Sequence, residues 1–546
     1  MRLELNRYTA IICLIVLAAA TPWFFLTPAY AFNFGKGDIN GRLDTTLTYG
    51  VTWRVQDRDP DLVGIANGGN KADVNSDDGN LNYDKGIVSN AAKIMSEIDL
   101  SYRNQFGVFV RGKAFYDYEN ENDDREKAEL SDAALDLVGS GVDLLDAFVW
   151  GDFELGDMPF QVRMGDQVVS WGESTFIGNS INAINPVDVA AFRLPGAELK
   201  EGLLPEGMVS TALGVTENIS LEGLYLYDWN PIIIDPKGSY WSNNDYYPDG
   251  GTFVTLGDGQ LPEETYPYTL YRDPDIDAKD SGQYGVALRW YVPYLNDSEF
   301  GFYYLNYHSR IPVVSAIGAS TTGLPASAAY LIEYPEDLKL FGVSASTEIA
   351  GLAIQGEVSF RPDAPIQIAD VPLITAALGL GPLLGTSYGP SELIHGYIER
   401  DVVQVQATAS KLLGPVLGAT NGYALGEAGV MHVRDMPDTD ELALDCPGND
   451  ADATSWGYRV SAGLTYSNAI GPISISPRIG WKHDVQGISP GGASFLEHRK
   501  AVSLGLGFDY LKTWRLAVSY ANYFGAEDLN KSHDRDVISA NIKYSF

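Results

Sequence analysis

Few residues in this sequence have the types and spacing that covalent catalysis needs. Gly385-Thr-Ser-Tyr-Gly389 has the spacing of a nucleophile elbow, in which the Ser387 hydroxyl would attack a carbonyl carbon. That motif requires a strand before the serine and a helix after it. Glycine and proline surround it here, which predicts an irregular loop. We therefore interpret the match as a coincidence, and we expect no catalytic residue and no enzyme activity.

Metal chemistry is not indicated either. The six histidines show no ligand spacing, and Cys446 is the single cysteine after residue 31. The acidic run at 273–280 begins like a calcium loop, but Ala278 stands where the sharp turn needs glycine and Tyr284 where a bidentate glutamate belongs. We expect no bound metal and no cofactor. At most, carboxylates in external loops would recruit divalent cations that also bridge lipopolysaccharide phosphates.

The pattern of residues 537–546 indicates the architecture of the whole chain. Their side chains alternate between an uncharged apolar face and a polar face, which is the period-two pattern of a β-strand. A strand that ends on an aromatic residue, with lipid on one face and water on the other, is typical of a transmembrane β-barrel. The alternative is an edge strand of a secreted β-sandwich. The terminal Phe546 also resembles the signal read by the outer-membrane assembly machinery, which we expect as a partner.

The beginning of the chain predicts export. Arg2 and Arg7 precede an apolar run from Ala10 to Leu26, and Ala29-Tyr-Ala31 offers a small-residue cleavage site. This is the pattern of a secretory signal peptide over residues 1–31, which leaves 32–546 as the mature chain. No second apolar stretch reaches the ~20 residues that a membrane helix needs. If the mature chain crosses a membrane, a closed barrel is the remaining architecture.

Composition agrees with that architecture. The chain has 32 Tyr, 10 Trp and 57 Gly, which suits aromatic belts at two membrane interfaces and tight turns between strands. Its formal net charge of −35 argues against nucleic-acid binding.

Strand periodicity recurs along the whole mature chain, and it predicts an antiparallel β-barrel of about 18 strands, with 16–20 as the range. Short and long connections alternate, as tight periplasmic turns and extended external loops do in outer-membrane barrels. An even strand count places both termini at the periplasmic rim. The predicted strands lie near 38–56, 93–104, 106–119, 142–153, 159–170, 207–216, 218–228, 282–293, 299–309, 339–349, 352–361, 399–410, 419–433, 456–467, 472–484, 500–510, 514–524 and 534–546.

The inward faces of these strands collect cations. Buried charges need water or partners, because burial of an unpaired charge is very costly. One interpretation is a hydrated, partly cationic conduit whose charges set selectivity. The other is a structural network in which the cations pair with lumen carboxylates and brace an inserted loop; the sequence gives no distances that would decide. The predicted lumen cations are Arg54, Arg103, Arg111, Lys113, Arg163, Arg289, Arg459, Arg478 and Arg515.

Two long loops are unexpectedly apolar, at 311–334 and 366–384. Exposed apolar surface usually marks an interaction site. We expect these loops to fold into the barrel mouth or to receive a hydrophobic solute there. The alternative is that they pack only on each other as a rigid lid.

The segment at 171–206 is predicted to fold into the barrel as a plug or constriction. Prolines at 186, 195 and 205 prevent a regular strand or helix throughout. Trp171, Ile184 and Phe192 are nevertheless too apolar for a solvated loop. An ordered, inward-folded segment satisfies both observations. The residues that we expect at the constriction are Trp171, Glu173, Asn185, Asp188, Arg193, Glu198 and Lys200; the alternative role of each is to anchor the segment to the lumen wall.

This same segment carries a resemblance to a known family. Trp171-Gly-Glu-Ser174, Asn185-Pro-Val-Asp188 and Pro195-Gly-Ala-Glu-Leu-Lys-Glu201 are its most specific parts, and Gly41-Arg-Leu-Asp-Thr-Thr-Leu-Thr-Tyr-Gly50 adds to them. The sequence resembles, over essentially the whole mature chain, the proteobacterial outer-membrane family catalogued as domain of unknown function 1302. Members are often paired with a periplasmic lipoprotein-like family and with systems that handle hydrophobic compounds. The resemblance therefore implies transport of hydrophobic or amphipathic molecules.

These observations together predict a monomeric barrel in the outer membrane of a Gram-negative bacterium. We expect it to pass hydrophobic or amphipathic small molecules, such as lipids, fatty acids or hydrocarbons, passively past the constriction. The alternatives are a general porin for small, perhaps anionic, hydrophilic solutes, and an assembly or structural partner of a periplasmic lipid-handling system. Expected partners are membrane lipid, lipopolysaccharide and a periplasmic protein, and no nucleic acid.

Overall fold

A closed wall of antiparallel strands surrounds a lumen in the computed structural model, which describes residues 32–492 and 494–546. The predicted signal peptide, 1–31, lies outside the described residues. The wall strands, numbered here in chain order, are β1 Ile39–Arg54, β2 Gly86–Tyr102, β3 Phe106–Asp117, β4 Ser140–Leu155, β5 Met158–Gln167, β6 Glu206–Thr216, β7 Ile219–Leu226, β8 Gln283–Val292, β9 Ser298–Tyr307, β10 Leu338–Ile349, β11 Leu352–Gln367, β12 Tyr397–Leu413, β13 Asn421–Val433, β14 Thr454–Ile470, β15 Ile473–Gln486, β16 Lys500–Tyr510, β17 Trp514–Phe524 and β18 Val537–Ser545.

Each of these strands pairs with its sequence neighbours, and β18 closes the barrel against β1 over Thr46–Arg54. Beyond the last paired residue, the Phe546 N–H donates to the Thr45 carbonyl at 2.9 Å and the Thr45 N–H donates back at 2.8 Å. Every main-chain group at the seam therefore has a partner, as a wall in lipid requires. The prediction of an antiparallel barrel of about 18 strands is confirmed.

Two strands extend six or seven residues beyond a predicted end. β2 begins at Gly86 rather than near 93, and β11 continues to Gln367 rather than ending near 361. In β11 the register shifts between Arg361 and Ala364, which is an irregularity that interrupts the alternation of side chains. A prediction from side-chain alternation alone therefore ends the strand where such an irregularity begins.

The connections sort by length onto two rims. Short turns join β2–β3, β4–β5, β6–β7, β8–β9, β10–β11, β12–β13, β14–β15 and β16–β17, and both chain ends of the described barrel lie at that short-turn rim. A short strand, Phe32–Lys36, pairs with the start of β1 there. The opposite, long-loop rim carries residues 55–85, 118–139, 227–282, 308–337, 368–396, 434–453, 487–499 and 525–536.

The outer surface of the wall is apolar. Tyr49 of β1 and Ile538 and Ile542 of β18 are 50%, 38% and 40% exposed, and they alternate with inward polar residues. Their spacing is the period of two that a lipid-facing strand requires. Among the described residues, no helix combines the length and the apolar character needed to cross a membrane.

The long loops form an ordered cap over one side of the mouth. Loops 227–282, 308–337 and 368–396 contribute a five-stranded sheet and a helix, Asp370–Ala377. The sheet order is Leu393–Ile394, Val313–Ile317, Ala329–Glu333, Thr269–Arg272 and Phe253–Thr255. The other helices are short, at Asp78–Leu81, Tyr118–Asn122, Asp132–Val138, Val189–Arg193 and Leu199–Gly202, with 3-10 turns at Pro60–Leu62, Ile65–Asn67, Pro325–Ser327, Pro490–Gly492 and Glu527–Leu529.

Candidate functional site

The connection between β5 and β6, residues 168–205, runs into the lumen, and we call it the inserted segment. Its apolar side chains Trp171, Ile181 and Ile184 are at most 2% exposed. They pack on inward-facing residues of β7–β10, among them Leu224 and Leu305. The Trp171 indole N–H also donates to Glu222 at 2.8 Å, so the ring is held by packing and by one polar contact. The inward-folded segment that the prolines and apolar residues predict is confirmed.

Glycines on the wall make room for this packing. A side chain at Gly285 would approach the Trp171 ring to 2.8 Å, and one at Gly342 would approach Ile181 to 2.7 Å. Both distances are closer than carbon atoms can approach without displacement. The wall is therefore shaped to the segment at these two strands.

On β13, the Glu427 carboxylate receives three successive backbone N–H groups of the inserted segment. Thr175 donates to Oε1 at 2.8 Å, and Phe176 and Ile177 donate to Oε2 at 2.6 and 2.7 Å. Glu427 is 2% exposed, so these donors replace the water that an ionised carboxylate would otherwise require. Charge-assisted hydrogen bonds of this kind are among the strongest in proteins.

Neighbouring strands repeat this mode of attachment. Glu357 of β11 accepts the backbone N–H of Glu173, and accepts that of Ile181 at 3.3 Å. On β12, the Gln404 and Gln406 side-chain amides donate to the carbonyls of Gly178 and Ile177 at 2.9 and 3.1 Å. Irregular backbone cannot satisfy its own polar groups, and inward-facing side chains supply the missing partners.

The later half of the segment is held by ion pairs. Lys93 of β2 contacts Glu201 at 2.7 Å, with both side chains 4% exposed. Lys200 contacts Glu97 at 2.5 Å, and Lys543 of β18 contacts Glu198 at 2.5 Å. These contacts lie on β2 and β18, while the carboxylate anchors lie on β11 and β13. The segment is thus tied to wall strands in two separate arcs of the barrel.

The remaining predicted constriction residues act inside the segment or toward the loops. Asn185 accepts the Val169 N–H at 2.9 Å and donates to the carbonyls of Gln167 and Leu204, which joins the two ends of the segment. Asp188 accepts the Ala191 N–H at 2.8 Å and so caps Val189–Arg193. Arg193 pairs with Asp235 at 3.0 Å and lies over the Trp241 ring.

Glu173 differs from the other six. Its main chain is anchored, but within the described residues its carboxylate has no hydrogen bond or ion pair. It is therefore the predicted constriction residue whose side chain is free to meet water or a solute.

Most predicted lumen cations are paired in the structure. Arg54 pairs with Asp534, Arg111 with Glu97, Lys113 with Asp143, Arg289 with Glu222 and Arg459 with Asp484, at 2.8, 3.0, 3.2, 2.7 and 2.6 Å. Each of these five cations therefore has a carboxylate partner, which is the pairing that a bracing network requires.

The other four predicted cations have different surroundings. Arg103 lies in the turn after β2, where φ is 54°, and pairs with Asp38 at 2.9 Å. The strand ends at Tyr102, two residues earlier than predicted, so this side chain leaves the lumen. Arg515 is half exposed, 3.7 Å from Asp509. Arg163 and Arg478 form no ion pair within the described part of the chain, and Arg163 lies over the Phe148 ring.

A cavity of about 370 Å³ opens at the long-loop rim, and we call it the mouth cavity. Loops 227–282 and 308–337 and the ends of β11–β13 enclose it, and the inserted segment contributes Asn179. Its lining is mainly apolar and aromatic, with charged groups at its edge. The lining includes Ile232, Ile234, Tyr246, Tyr247, Tyr307, Ile311, Val313, Val314, Leu338, Lys339, Arg361, Ala364, Ile366, Asp370, Val402, Met431, Val433 and Asp445.

Two carboxyl groups at the cavity edge have altered acidity. Enclosure by the loops, with repulsion from Asp445, raises the pKa of Asp370 to about 6. Enclosure also raises the pKa of Asp445. Asp370 nevertheless keeps exposed surface, because the cavity lies against it. The cavity edge therefore becomes less negative as pH falls toward 6.

A family model described as "Protein of unknown function (DUF1302)" matches residues 12–546. The chain belongs to the DUF1302 family. A comparison of this DUF1302 chain with curated proteins finds no match.

Several solved structures are similar to this chain over most of its length. Acinetobacter baumannii OccAB3 is 12% identical, with 93% of this chain and 99% of that chain covered and a TM-score of 0.43. The BenF-like porin of Pseudomonas fluorescens Pf-5 is 9% identical, with 93% and 98% covered and a TM-score of 0.42. Pseudomonas aeruginosa OccK2 in complex with glucuronate is 7% identical, with 93% and 98% covered and a TM-score of 0.38. No residue role in the DUF1302 chain is taken from these similarities.

Sequence reasoning missed the wall residues that hold the inserted segment of this DUF1302 chain. Glu357, Gln404, Gln406 and Glu427 are each at most 3% exposed. Their signal was available, because each is a long polar residue on the inward face of a predicted strand. Such a residue needs a partner, and an irregular segment rich in unpaired main-chain groups supplies one.

Proposed function

We propose that this DUF1302 protein is an outer-membrane channel that passes hydrophobic or amphipathic small molecules passively. The observation that supports the proposal is the mouth cavity, an apolar and aromatic chamber at the long-loop rim. Ligand sites for such molecules are typically apolar clefts with a few polar groups that fix orientation. With the long-loop rim outside the cell, a solute would meet the cavity before the inserted segment.

The cavity and the inserted segment are in direct contact. Arg361 lines the cavity and donates to the Ser180 carbonyl at 2.5 Å, while Asn179 beside it faces the cavity. A solute that displaces the Arg361 side chain would therefore release one anchor of the segment. We infer that solute capture and the opening of the constriction are coupled through this contact.

Solute binding tests the first step. Purified protein in detergent is titrated with a fluorescent long-chain fatty acid. Ala364→Trp fills the cavity and should abolish saturable binding. Ala353→Trp on the same strand lies outside the cavity and should leave it unchanged. Equal binding by both variants would contradict the proposal, because it would place the probe outside the mouth cavity.

Conductance separates the proposal from its main alternative. The paired state of Arg54, Arg111, Lys113, Arg289 and Arg459 supports a braced lumen, whereas a porin for anionic hydrophilic solutes needs open charge. We expect near silence in planar bilayers. Large steady currents would favour the general porin, for which the exposed Arg478 would be the natural selectivity residue.

The partners of this protein are also proposals. We infer an outer-membrane location with lipopolysaccharide around the long-loop rim, and recognition of Phe546 by the assembly machinery. A periplasmic protein would dock at the short-turn rim. Co-purification from membranes of chains with and without an altered short turn, such as 414–420, tests this docking.

A further inference from the structure

Three buried carboxylates that neither line the mouth cavity nor belong to the inserted segment converge where two long loops meet. Asp77 and Asp78 belong to loop 55–85, and Asp245 belongs to loop 227–282. One carboxylate oxygen from each lies within 4.8 Å of the others. Their side chains are buried, with residue exposures of 0%, 1% and 4%. Like charges this close and this dry repel strongly unless protons or a cation lie among them.

Protein groups satisfy only part of this cluster. Asp77 accepts the Gly64 N–H at 2.7 Å and the Asn67 amide at 3.0 and 3.1 Å. Asp245 accepts the Asp78 N–H at 3.2 Å through Oδ2. One lysine approaches, with Lys237 Nζ 3.4 Å from Asp78 Oδ2.

Three carboxylate oxygens are left without a hydrogen bond. Within the described residues, neither Oδ1 nor Oδ2 of Asp78 has a hydrogen-bond partner, and Oδ1 of Asp245 has none. Buried polar atoms in proteins are almost always hydrogen-bonded or bound to an ion. One lysine at 3.4 Å balances only one of the three carboxylates, so protons or a bound cation must balance the other two.

We propose that Asp77, Asp78 and Asp245 bind a Ca²⁺ ion that joins the two loops. The donors are carboxylate oxygens, which are the ligands of hard cations. No histidine or cysteine takes part in the cluster, so zinc and copper do not suit it. Mg²⁺ retains most of its water, whereas Ca²⁺ accepts direct carboxylate ligands in irregular geometry, which fits a buried site.

This site differs from the acidic run at 273–280 that the sequence analysis considered. There, Asp275 already pairs with Arg272 at 2.7 Å and accepts the Ile332 N–H. The expectation of no metal site came from local spacing, and Asp245 is 167 residues from Asp78. Only the folded loops bring these ligands together.

The ion would act on the mouth cavity through the chain. Asp245 is followed by Tyr246 and Tyr247, which line the cavity. Fixing Asp245 therefore fixes the aromatic wall of that cavity. The binding of Ca²⁺ itself does not depend on the proposed transport function.

The test uses Tb³⁺, which occupies calcium sites and emits when nearby tyrosines are excited. Chelator-treated full-length protein in lipopolysaccharide-free detergent should bind one Tb³⁺ with sensitised emission that CaCl₂ displaces and MgCl₂ displaces poorly. Asp78→Asn and Asp245→Asn should each weaken binding at least about tenfold, since each removes a charged ligand. Asp124→Asn, an exposed acidic residue in another loop, should bind as the unmodified chain does.

A second measurement covers variants that fold poorly. On the unmodified chain, CaCl₂ should slow hydrogen exchange at residues 76–81 and 243–247. Without calcium, Asp78→Asn should be at least as heat-stable as the unmodified chain, because it relieves repulsion, and it should lose the calcium-induced rise in melting temperature. Equal Tb³⁺ affinity in all variants, or exchange that calcium does not change, would overturn the site.

Discussion

The inserted segment and the cap both connect strands of the same barrel, yet polar anchors hold much of the first, whereas an apolar core and a small sheet hold the second. The inserted segment is tied by carboxylates and lysines of the wall, among them Glu427 and Lys93. The cap is held by apolar side chains, with Leu373, Ile394 and Leu444 in one buried cluster. The apolar loops that the sequence singled out therefore pack on each other and also enclose the mouth cavity.

This difference follows from where each region can find partners. A lumen wall offers inward-facing charged side chains, and a segment crossing it must satisfy them and its own main chain. Loops beyond the rim have water on one side and can bury apolar groups only against one another. Directional contacts fix the position of the inserted segment, whereas apolar contacts allow the cap to adjust.

The largest effect is expected when the ion pair between Lys93 of the wall and Glu201 of the inserted segment is broken. Lys93→Met leaves Glu201 buried without its cation and should lower the free energy of unfolding by about 3–5 kcal/mol. Urea unfolding in lipid vesicles, with hydrogen exchange at 199–202, measures it. The double variant Lys93→Met/Glu201→Gln should recover much of the loss, because no unpaired charge remains. A double variant as unstable as the single one would contradict this account.

The matching change in the cap tests whether its stability is apolar. Leu373→Ala should cost about 3 kcal/mol through lost burial and a cavity. Exchange should rise in 368–396 and stay unchanged in 175–181. Val371→Ala, on the same helix but 67% exposed, should cost little. If exchange rose equally in the inserted segment, the two regions would not be independent.

A smaller effect is expected at the carboxylate that receives three N–H groups. Glu427→Gln replaces one carboxylate oxygen with an NH2 group, which faces backbone N–H donors and cannot accept a hydrogen bond from them. This loss should destabilise the inserted segment locally by about 2 kcal/mol. Faster exchange of the Thr175, Phe176 and Ile177 amides, with a rise in bilayer conductance, would show it. Glu348→Gln, at an exposed position on β10, is the control. Unchanged amide exchange would mean that these hydrogen bonds do not hold the segment.

The smallest effect is a pH dependence in the loops. His533 Nε2 lies 2.7 Å from Asp59, and this contact raises the pKa of His533 against its partial burial and lowers that of Asp59. The pKa of His533 is raised in the folded chain, so the contact contributes to the stability of the loops. That contribution is complete below the unfolded pKa of about 6.5, and it is lost as pH rises through the folded pKa. The Asp59 contribution is lost only as pH falls through its lowered pKa.

Limited proteolysis of loops 55–85 and 525–536 across pH 5–8 checks this dependence. Cleavage should increase with pH in the unmodified chain and be independent of pH in His533→Gln. His498→Gln, an exposed histidine, should behave as the unmodified chain. A His533→Gln variant that keeps the pH dependence would assign it to another group.

The wall could be predicted from the sequence because a strand records its surroundings in its own side chains. Alternation along residues 537–546 and its repetition gave the strand number and the rim of each connection, and Pro186, Pro195 and Pro205 marked the inserted segment. The prediction that Arg103 faces the lumen was wrong, because this residue lies in the turn one position after the strand. Alternation alone does not distinguish a charged turn residue from the last residue of a strand.

The contacts that the anchors make could not be predicted, because periodicity assigns a side chain to a face but not to a height or an angle around the barrel. Glu427 and Phe176 are 251 residues apart in sequence, and their contact depends on the closure of strands between them. Asp77 and Asp245 were separated in the same way. Long-range polar contacts leave no local pattern.

The separation between the inserted segment and its anchors also fixes the order of events during biogenesis. Residues 168–205 are synthesised before β11, β12 and β13, and they lie within the ring that those later strands complete. The segment therefore cannot reach these anchors until the later strands have joined the wall. A shortened chain that lacks β13 would lose the Glu427 anchor while it keeps the ion pairs to β2.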